Sequence, residues 1–213
     1  MKSTDLAAFV ASRVLHDLSS PLTVVMAGLD TVLDPSMDDS MRSMSGDLMN
    51  EGLKKMSAQL HVLRYVIGSQ ELNDNQASIN ELRMRFDEYA GFRDKRKVDW
   101  RFQTDLVSNR QMRLLLNMAL VAIEPVGKNG TIGLGARVEG EKVFLEAVAI
   151  GQAAWRPPVV NALGGERPEE GWGGGRIQPY FVALIAEEMG FGLEAGVSAE
   201  GATLVASGPV SEF

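Results

Sequence analysis

Two histidines, His16 and His61, supply the imidazole chemistry of this chain, and cysteine is absent. Thiol catalysis, disulfides and thiolate metal ligation are therefore excluded. His16 stands in SRVLHDLSSPLTVV, residues 12–25, with Asp17 beside it and Pro21 five positions on. An imidazole can pack, bind a metal, move a proton or act as a nucleophile. Two histidines and no cysteine cannot assemble an imidazole-rich or soft metal site within one chain. A hydrolase built on His16 and Asp17 lacks a visible partner nucleophile or oxyanion device. A neighbouring carboxylate does orient an imidazole and hold its tautomer, which suits a histidine base or nucleophile. A solvated histidine without a role remains the bland alternative.

The element that must position His16 reads as one long helix. Ser3, Thr4 and Asp5 are good N-cap residues, and the pattern runs to Leu33 before Asp34-Pro35-Ser36 breaks it. Leu6, Val10, Val14, Leu18, Leu22, Val25, Leu29 and Val32 recur at spacings of three and four, which makes one apolar stripe. At about 100° per residue, His16 lies about 160° from Leu18, opposite that stripe. Ser12, Ser20, Thr23 and Ala27 share its face, and these small side chains leave the imidazole approachable. Pro21 within this helix removes an N–H and crowds the carbonyl of Asp17, at about 3 kcal/mol in an ordinary helix interior. Such a penalty is easier to understand where the kink shapes something beside His16. His61 also lies off its helix's stripe, among Lys54, Arg64 and Gln70, and has no adjacent carboxylate; it reads as a solvated surface residue.

A second helix carries Met41, Met44, Leu48, Gly52, Met56, Gln59, Leu63 and Val66 on its stripe. Two long helices with a short break predict an antiparallel hairpin over residues 1–70. A lone hairpin exposes more apolar surface than its two helices can cover, so a homodimeric four-helix bundle is expected. The alternative is that the C-terminal half covers the stripe. Residues 71–78 (ELNDNQAS) read as a linker. Beyond them the pattern changes to a helix over 79–90, a strand over Val98–Thr104 and an apolar helix over Asn109–Ile123. Thr131–Val138 and Lys142–Ile150 form a predicted hairpin, Gln178–Met189 a helix, and Gly192–Val197 with Ala202–Ser207 a closing strand pair. Antiparallel strands with separate helices imply an α+β layer over 79–213. Gly164–Gly175 (GGERPEEGWGGG) is dense in glycine and charge and reads as a mobile loop.

The chain has 213 residues, 45% hydrophobic and 23% charged, with a formal charge of −7. This is the composition of a globular protein, and its negative charge disfavours nonspecific binding to nucleic acid or to an anionic membrane. No apolar run reaches the roughly 18 residues of a membrane span. Acidic and polar residues come too early in MKSTDLAAFVASR for a signal peptide, and a cytoplasmic location is expected.

His16-Asp17-Leu18-Ser19-Ser20-Pro21, at the start of a two-helix hairpin, resembles the phosphoacceptor helix of histidine kinases. The second half resembles their ATP-binding domain in layout, with its nucleotide residues altered. Leu114–Ile123 is similar to the kinase helix with two asparagines four apart. Asn117 matches the first, while Val121 stands where the second would help hold Mg²⁺. The strand that should end in Asp-x-Gly-x-Gly reads VAIGQA, residues 148–153, with Ala149 at the aspartate position and Ala153 at the second glycine. The later Gly-x-Gly-Leu-Gly-Leu turn reads GGGRIQP, residues 173–179. Adenine recognition needs a buried carboxylate and the triphosphate needs Mg²⁺ with backbone N–H groups, so these changes should abolish ATP binding.

An intact phosphoacceptor beside a degraded nucleotide site resembles the histidine phosphotransferases of the ChpT kind. The resemblance implies a dimeric, histidine-kinase-like fold and a phosphorelay between the receiver domains of response regulators, fed by a hybrid histidine kinase. His16 would carry the phosphoryl group and Asp17 would hold its other ring nitrogen, while Ser20 and Pro21 shape the site. Thr23, Val24 and Ala27 on the outward face, with Leu53 on the second helix, are the expected docking residues. No cofactor is expected in this chain, and Mg²⁺ is expected on the receiver. Two other functions stay open: a noncatalytic receiver-binding scaffold, and an ATP-dependent kinase with an unusual nucleotide site.

Overall fold

The computed structural model describes residues 1–68, 79–104, 107–169 and 171–210. The expected linker at 71–78 lies outside them. Helix α1 (Ser3–Leu33) and helix α2 (Asp39–Ile67) form the antiparallel hairpin. Their connection is set locally. Asp34 Oδ1 accepts from the Ser36 N–H at 2.8 Å, Arg42 donates to the Asp34 carbonyl at 2.9 Å, and Asp38 caps α2 through the Met41 N–H at 2.8 Å. The N-terminus of α1 differs from expectation. Its N-cap is Lys2, with no side-chain cap, and Ser3 to Asp5 already lie within the first turn.

The two helices approach closely where side chains are smallest. A Cβ on Gly28 would overlap the Met49 side chain, and one on Gly52 would stand 2.9 Å from Val25 Cγ2. Pro21 is buried at this contact, and helix continues through it. Its missing N–H leaves the Asp17 carbonyl without the usual donor four residues on.

Helix α3 (Ile79–Phe92) leads into strand β1 (Lys97–Phe102), and helix α4 (Asn109–Ala122) crosses over to β2 (Thr131–Glu139). A reciprocal capping box of Ser108 and Gln111 starts α4. Then follow β3 (Lys142–Ile150), α5 (Pro157–Leu163), α6 (Ile177–Glu188), β4 (Gly192–Val197) and β5 (Gly201–Pro209). The sheet order is β1-β2-β3-β5-β4, with β1 and β2 parallel and the other pairs antiparallel. Phe86, Met112, Leu115, Ile132, Leu134 and Leu145 are fully buried between sheet and helices. Val62, Leu63, Tyr65 and Val66 of α2 join this same core, so the upper hairpin is anchored in the α+β layer. No described helix is long and apolar enough to cross a membrane.

The glycine-rich stretch differs from the predicted mobile loop. Trp172 is buried, stacks against Tyr180 at 4.6 Å between ring centroids, and with Ala162 and Ile177 makes a small second core. Leu6, Phe9 and Val10 of α1 pack on it. One aromatic side chain outweighs the freedom of its glycine neighbours, because a ring of this kind buries roughly 150–250 Å². Helix α5 was also unforeseen; its Pro157-Pro158 start suits the first turn, where the proline nitrogens have no bond to lose.

Candidate functional site

His16 projects from the middle of α1 with its side chain 86% exposed. Its Nδ1 lies 3.3 Å from Asp17 Oδ1, which leaves Nε2 directed away from that carboxylate. The hydroxyls of Ser19 and Thr23 bond back to the carbonyls of Leu15 and Ser19, at 2.7 and 3.0 Å, so neither reaches outward beside the ring. Ser12, Ser20, Thr23 and Ala27 are exposed on this face, as the helix rotation predicts. A neutral imidazole held at one nitrogen and open at the other is arranged for nucleophilic attack.

His16, Asp17, Ser20 and Pro21 line one side of a cleft of about 210 Å³. The other lining residues are Lys55 and Gln59 of α2 and Arg93 and Asp94 of the turn after α3. The remaining expected site residues lie outside it: Thr23, Val24 and Ala27 continue along the exposed surface of α1, and Leu53 is half exposed on α2.

An ion network fastens the cleft to the α+β layer. Arg13, one turn before His16, is buried; it reaches Asp17 at 3.8 Å, Glu124 at 3.4 Å and the Gly175 carbonyl at 3.2 Å. Arg93 meets the same Glu124 oxygen at 2.8 Å and donates to the Tyr89 hydroxyl at 2.6 Å. Burial pushes the Tyr89 phenol above its ordinary range, against the pull of Arg93. Burial alone would lower the Arg93 guanidinium, but Tyr89 and Glu124 more than offset it and hold it charged. Asp94 and Lys95 both adopt left-handed backbone, φ 63° and 56°, a conformation non-glycine residues avoid. The turn is clamped by Asn129 N–H on the Asp94 carbonyl at 2.9 Å and by Arg96 on the Asp94 carboxylate at 3.4 Å.

Sequence reading missed Lys55, Arg93 and Asp94 and took Gln59 for part of a packing stripe. The Arg13–Asp17 spacing of four was a legible signal on α1. Nothing local could bring Arg93 to His16 across 77 intervening positions.

The histidine-kinase layout implies ATP and Mg²⁺, and the residues at those positions do not fit them. The Asn117 side-chain N–H₂ donates to the carbonyls of Val66 at 3.0 Å and Arg113 at 2.8 Å, while its oxygen accepts from Gln178 at 2.8 Å. The amide that would face a metal thus ties α2, α4 and α6 together. Ala149 is fully buried without a carboxylate to offer adenine, and nearby Trp155 is buried with its indole N–H on the Thr203 carbonyl at 2.7 Å.

Residues 79–201 match the family model described as histidine phosphotransferase C-terminal domain. Protein phosphotransferase ChpT of Brucella abortus (strain 2308) is 26% identical over 204 residues, 94% of each chain. Among solved structures, a bacterial phosphotransferase superposes with a TM-score of 0.81 at 23% identity, covering 97% of both chains. The catalytic domain of histidine kinase ThkA matches 63% of this chain and 92% of its own, with a TM-score of 0.51 and 18% identity. The two structures establish the fold: a helical hairpin followed by a histidine-kinase ATPase-like layer.

Proposed function

Because the chain belongs to the histidine phosphotransferase family, acting in two-component phosphotransfer, we propose that His16 is its phosphoacceptor and relays phosphoryl groups between receiver-domain aspartates. The observation that carries this reading is the solvent-facing Nε2 of an imidazole whose Nδ1 is held by Asp17. In the proposed reaction the Nε2 lone pair attacks the phosphorus of a receiver's aspartyl phosphate. The N–P bond forms as the P–O bond breaks, and the receiver's carboxylate leaves with the electron pair. The Nδ1 proton stays on the ring, shared with Asp17 Oδ1, and balances the charge of the phosphoimidazolium. A second receiver's aspartate reverses these steps. Phosphoryl transfer depends mainly on positioning and charge stabilisation, and the Mg²⁺ for both steps belongs to the receiver.

Ser20 and buried Pro21 shape the cleft wall, and Thr23, Val24, Ala27 and Leu53 form the receiver-docking surface. Val24 and Leu53 are 43% and 50% exposed, the kind of apolar side chain a transient interface covers. A hybrid histidine kinase supplies the first receiver. The working unit is a homodimer in which two hairpins make a four-helix bundle. Supporting this are Leu22, Met26, Leu29 and Leu33 of α1 and Met41, Met44 and Leu48 of α2, all more than a third exposed at the turn end of the hairpin.

The deciding experiment follows label from a prephosphorylated receiver domain and, in parallel, from ATP. Acid-labile label is expected on the native protein from the receiver only, and none on His16→Ala. Label from ATP would make the protein a kinase. Receivers that bind without transferring label would reduce it to a scaffold.

A further inference from the structure

The charges around the His16 cleft are paired, with one exception. Asp17 is met by Arg13 at 3.8 Å, Arg93 by Glu124 at 2.8 Å and Asp94 by Arg96 at 3.4 Å. Lys55, lining the same cleft from α2, has no carboxylate within ion-pair distance among the described residues. One turn further along α2 stands Gln59, also in the lining and only 8% exposed, whose Oε1 is buried without a hydrogen-bond partner. An unneutralised cation and an orphaned buried amide, four residues apart on one helix face, are both costly without a ligand. An anion with several acceptor oxygens resolves both. It takes the Lys55 ammonium and the Gln59 N–H₂ as donors, and Lys55 then also reaches Gln59 Oε1.

Resting on the phosphoacceptor reading above, we infer that Lys55 and Gln59 form a phosphoryl-holding subsite for the group carried on His16. The geometry suits a phosphoryl rather than a free carboxylate. It has three oxygens to distribute, its attachment atom is already on the cleft wall, and Asp17 and Asp94 bar a more diffuse anion from entering. Lys55 and Gln59 are positioning residues in this account, since the attacking atom is His16 Nε2.

The test charges the full-length protein with phosphoramidate, whose P–N bond breaks as the imidazole forms its own N–P bond and ammonia leaves. Both exposed histidines take label, so phospho-His61 serves as an internal reference, with His16→Ala assigning the two ³¹P resonances. Titrating the resonances with pH reads the second ionisation of each phosphoryl group. Lys55→Ala is expected to raise that pKa by roughly half a unit at residue 16 alone. It should also slow transfer from a phosphorylated receiver roughly tenfold, the worth of one charge-assisted hydrogen bond; Lys55→Arg restores both. Gln59→Leu separates the subsite from folding. By removing an orphaned polar atom it should melt no lower than the native protein, yet still slow transfer. A phospho-His16 titration and transfer rate unchanged in Lys55→Ala overturn this inference and leave the relay intact. A His16 that takes no label from phosphoramidate or from a receiver, while His61 is labelled, overturns the relay reading and this one with it.

Discussion

A histidine accepts a phosphoryl group through one ring nitrogen, so what happens at the other decides whether it is ready. Here Asp17 answers for Nδ1, and Arg13 in turn steadies Asp17 from a buried position. Arg13 is the less expected of these residues, because a buried guanidinium is tolerated only where its charge and donors are met. It spends them on Asp17, Glu124 and the Gly175 carbonyl. Across the cleft Arg93 relies on Tyr89, and this pair gives a pH-dependent expectation. The folded-state pKa of Tyr89 is raised by burial, so the unfolded chain ionises first, near the ordinary phenol value of about 10. Stability linked to Tyr89 is therefore intact below about pH 10 and is lost as pH rises through it. Tyr89→Phe should cost about 1 kcal/mol at pH 8, where the Arg93 hydrogen bond disappears. Its stability should then fall less steeply than native protein above pH 10, in denaturant unfolding curves measured from pH 8 to 11.

At the scale of elements, two segments that resemble loose connections are load paths between the hairpin and the sheet layer. The turn from α3 to β1 accepts two consecutive left-handed residues, each disfavoured by roughly 1–2 kcal/mol. In exchange, Arg93 and Asp94 arrive beside His16. The glycine-rich stretch before α6 is held by Trp172, on which the first turns of α1 rest. Trp172→Ala should destabilise the protein by about 3–5 kcal/mol. Limited proteolysis should then cut within residues 164–175 much faster than in the native protein; an unchanged cleavage rate would mean that the ring does not restrain the segment. The same change should leave the Arg13 contacts with Glu124 weakened, since both fasten α1 to the same layer.

For the whole molecule, the hairpin has two ends with different fates. Near the sheet its apolar residues are consumed: Val62, Leu63 and Val66 enter the main core, with Val14 and Leu18 packed against it. Near the turn they are left uncovered, from Leu22 to Leu48. A second hairpin laid alongside would bury that end and keep the two His16 clefts open to receivers. The double change Met44→Glu with Leu48→Glu should therefore convert a dimer to a monomer in light scattering, since like charges would face each other across the seam. The isolated protomer should keep its far-ultraviolet spectrum, because the core that orders α2 lies at the opposite end. A monomeric native protein would remove the four-helix bundle from the account.

Much of this protein is determined by local pattern alone. The three-and-four spacing and the Asp34-Pro35 break specify the hairpin. Alternation and turn residues specify every strand to within a few positions, because side-chain period is a property of neighbouring residues. The exposed face of His16 follows from helix rotation in the same way. The degraded nucleotide positions are equally legible, since Ala149 and Val121 lack the required atoms wherever they sit. What the tertiary structure decided is the meeting of residues far apart in sequence. Lys55 and Gln59 face His16 because α2 returns antiparallel to α1, and Arg93 reaches it because a strained turn abuts the hairpin. The ordering of the glycine-rich stretch was settled there too, by the burial of one tryptophan. Local propensity registers the conformational freedom of glycine but not the distant surface that removes it.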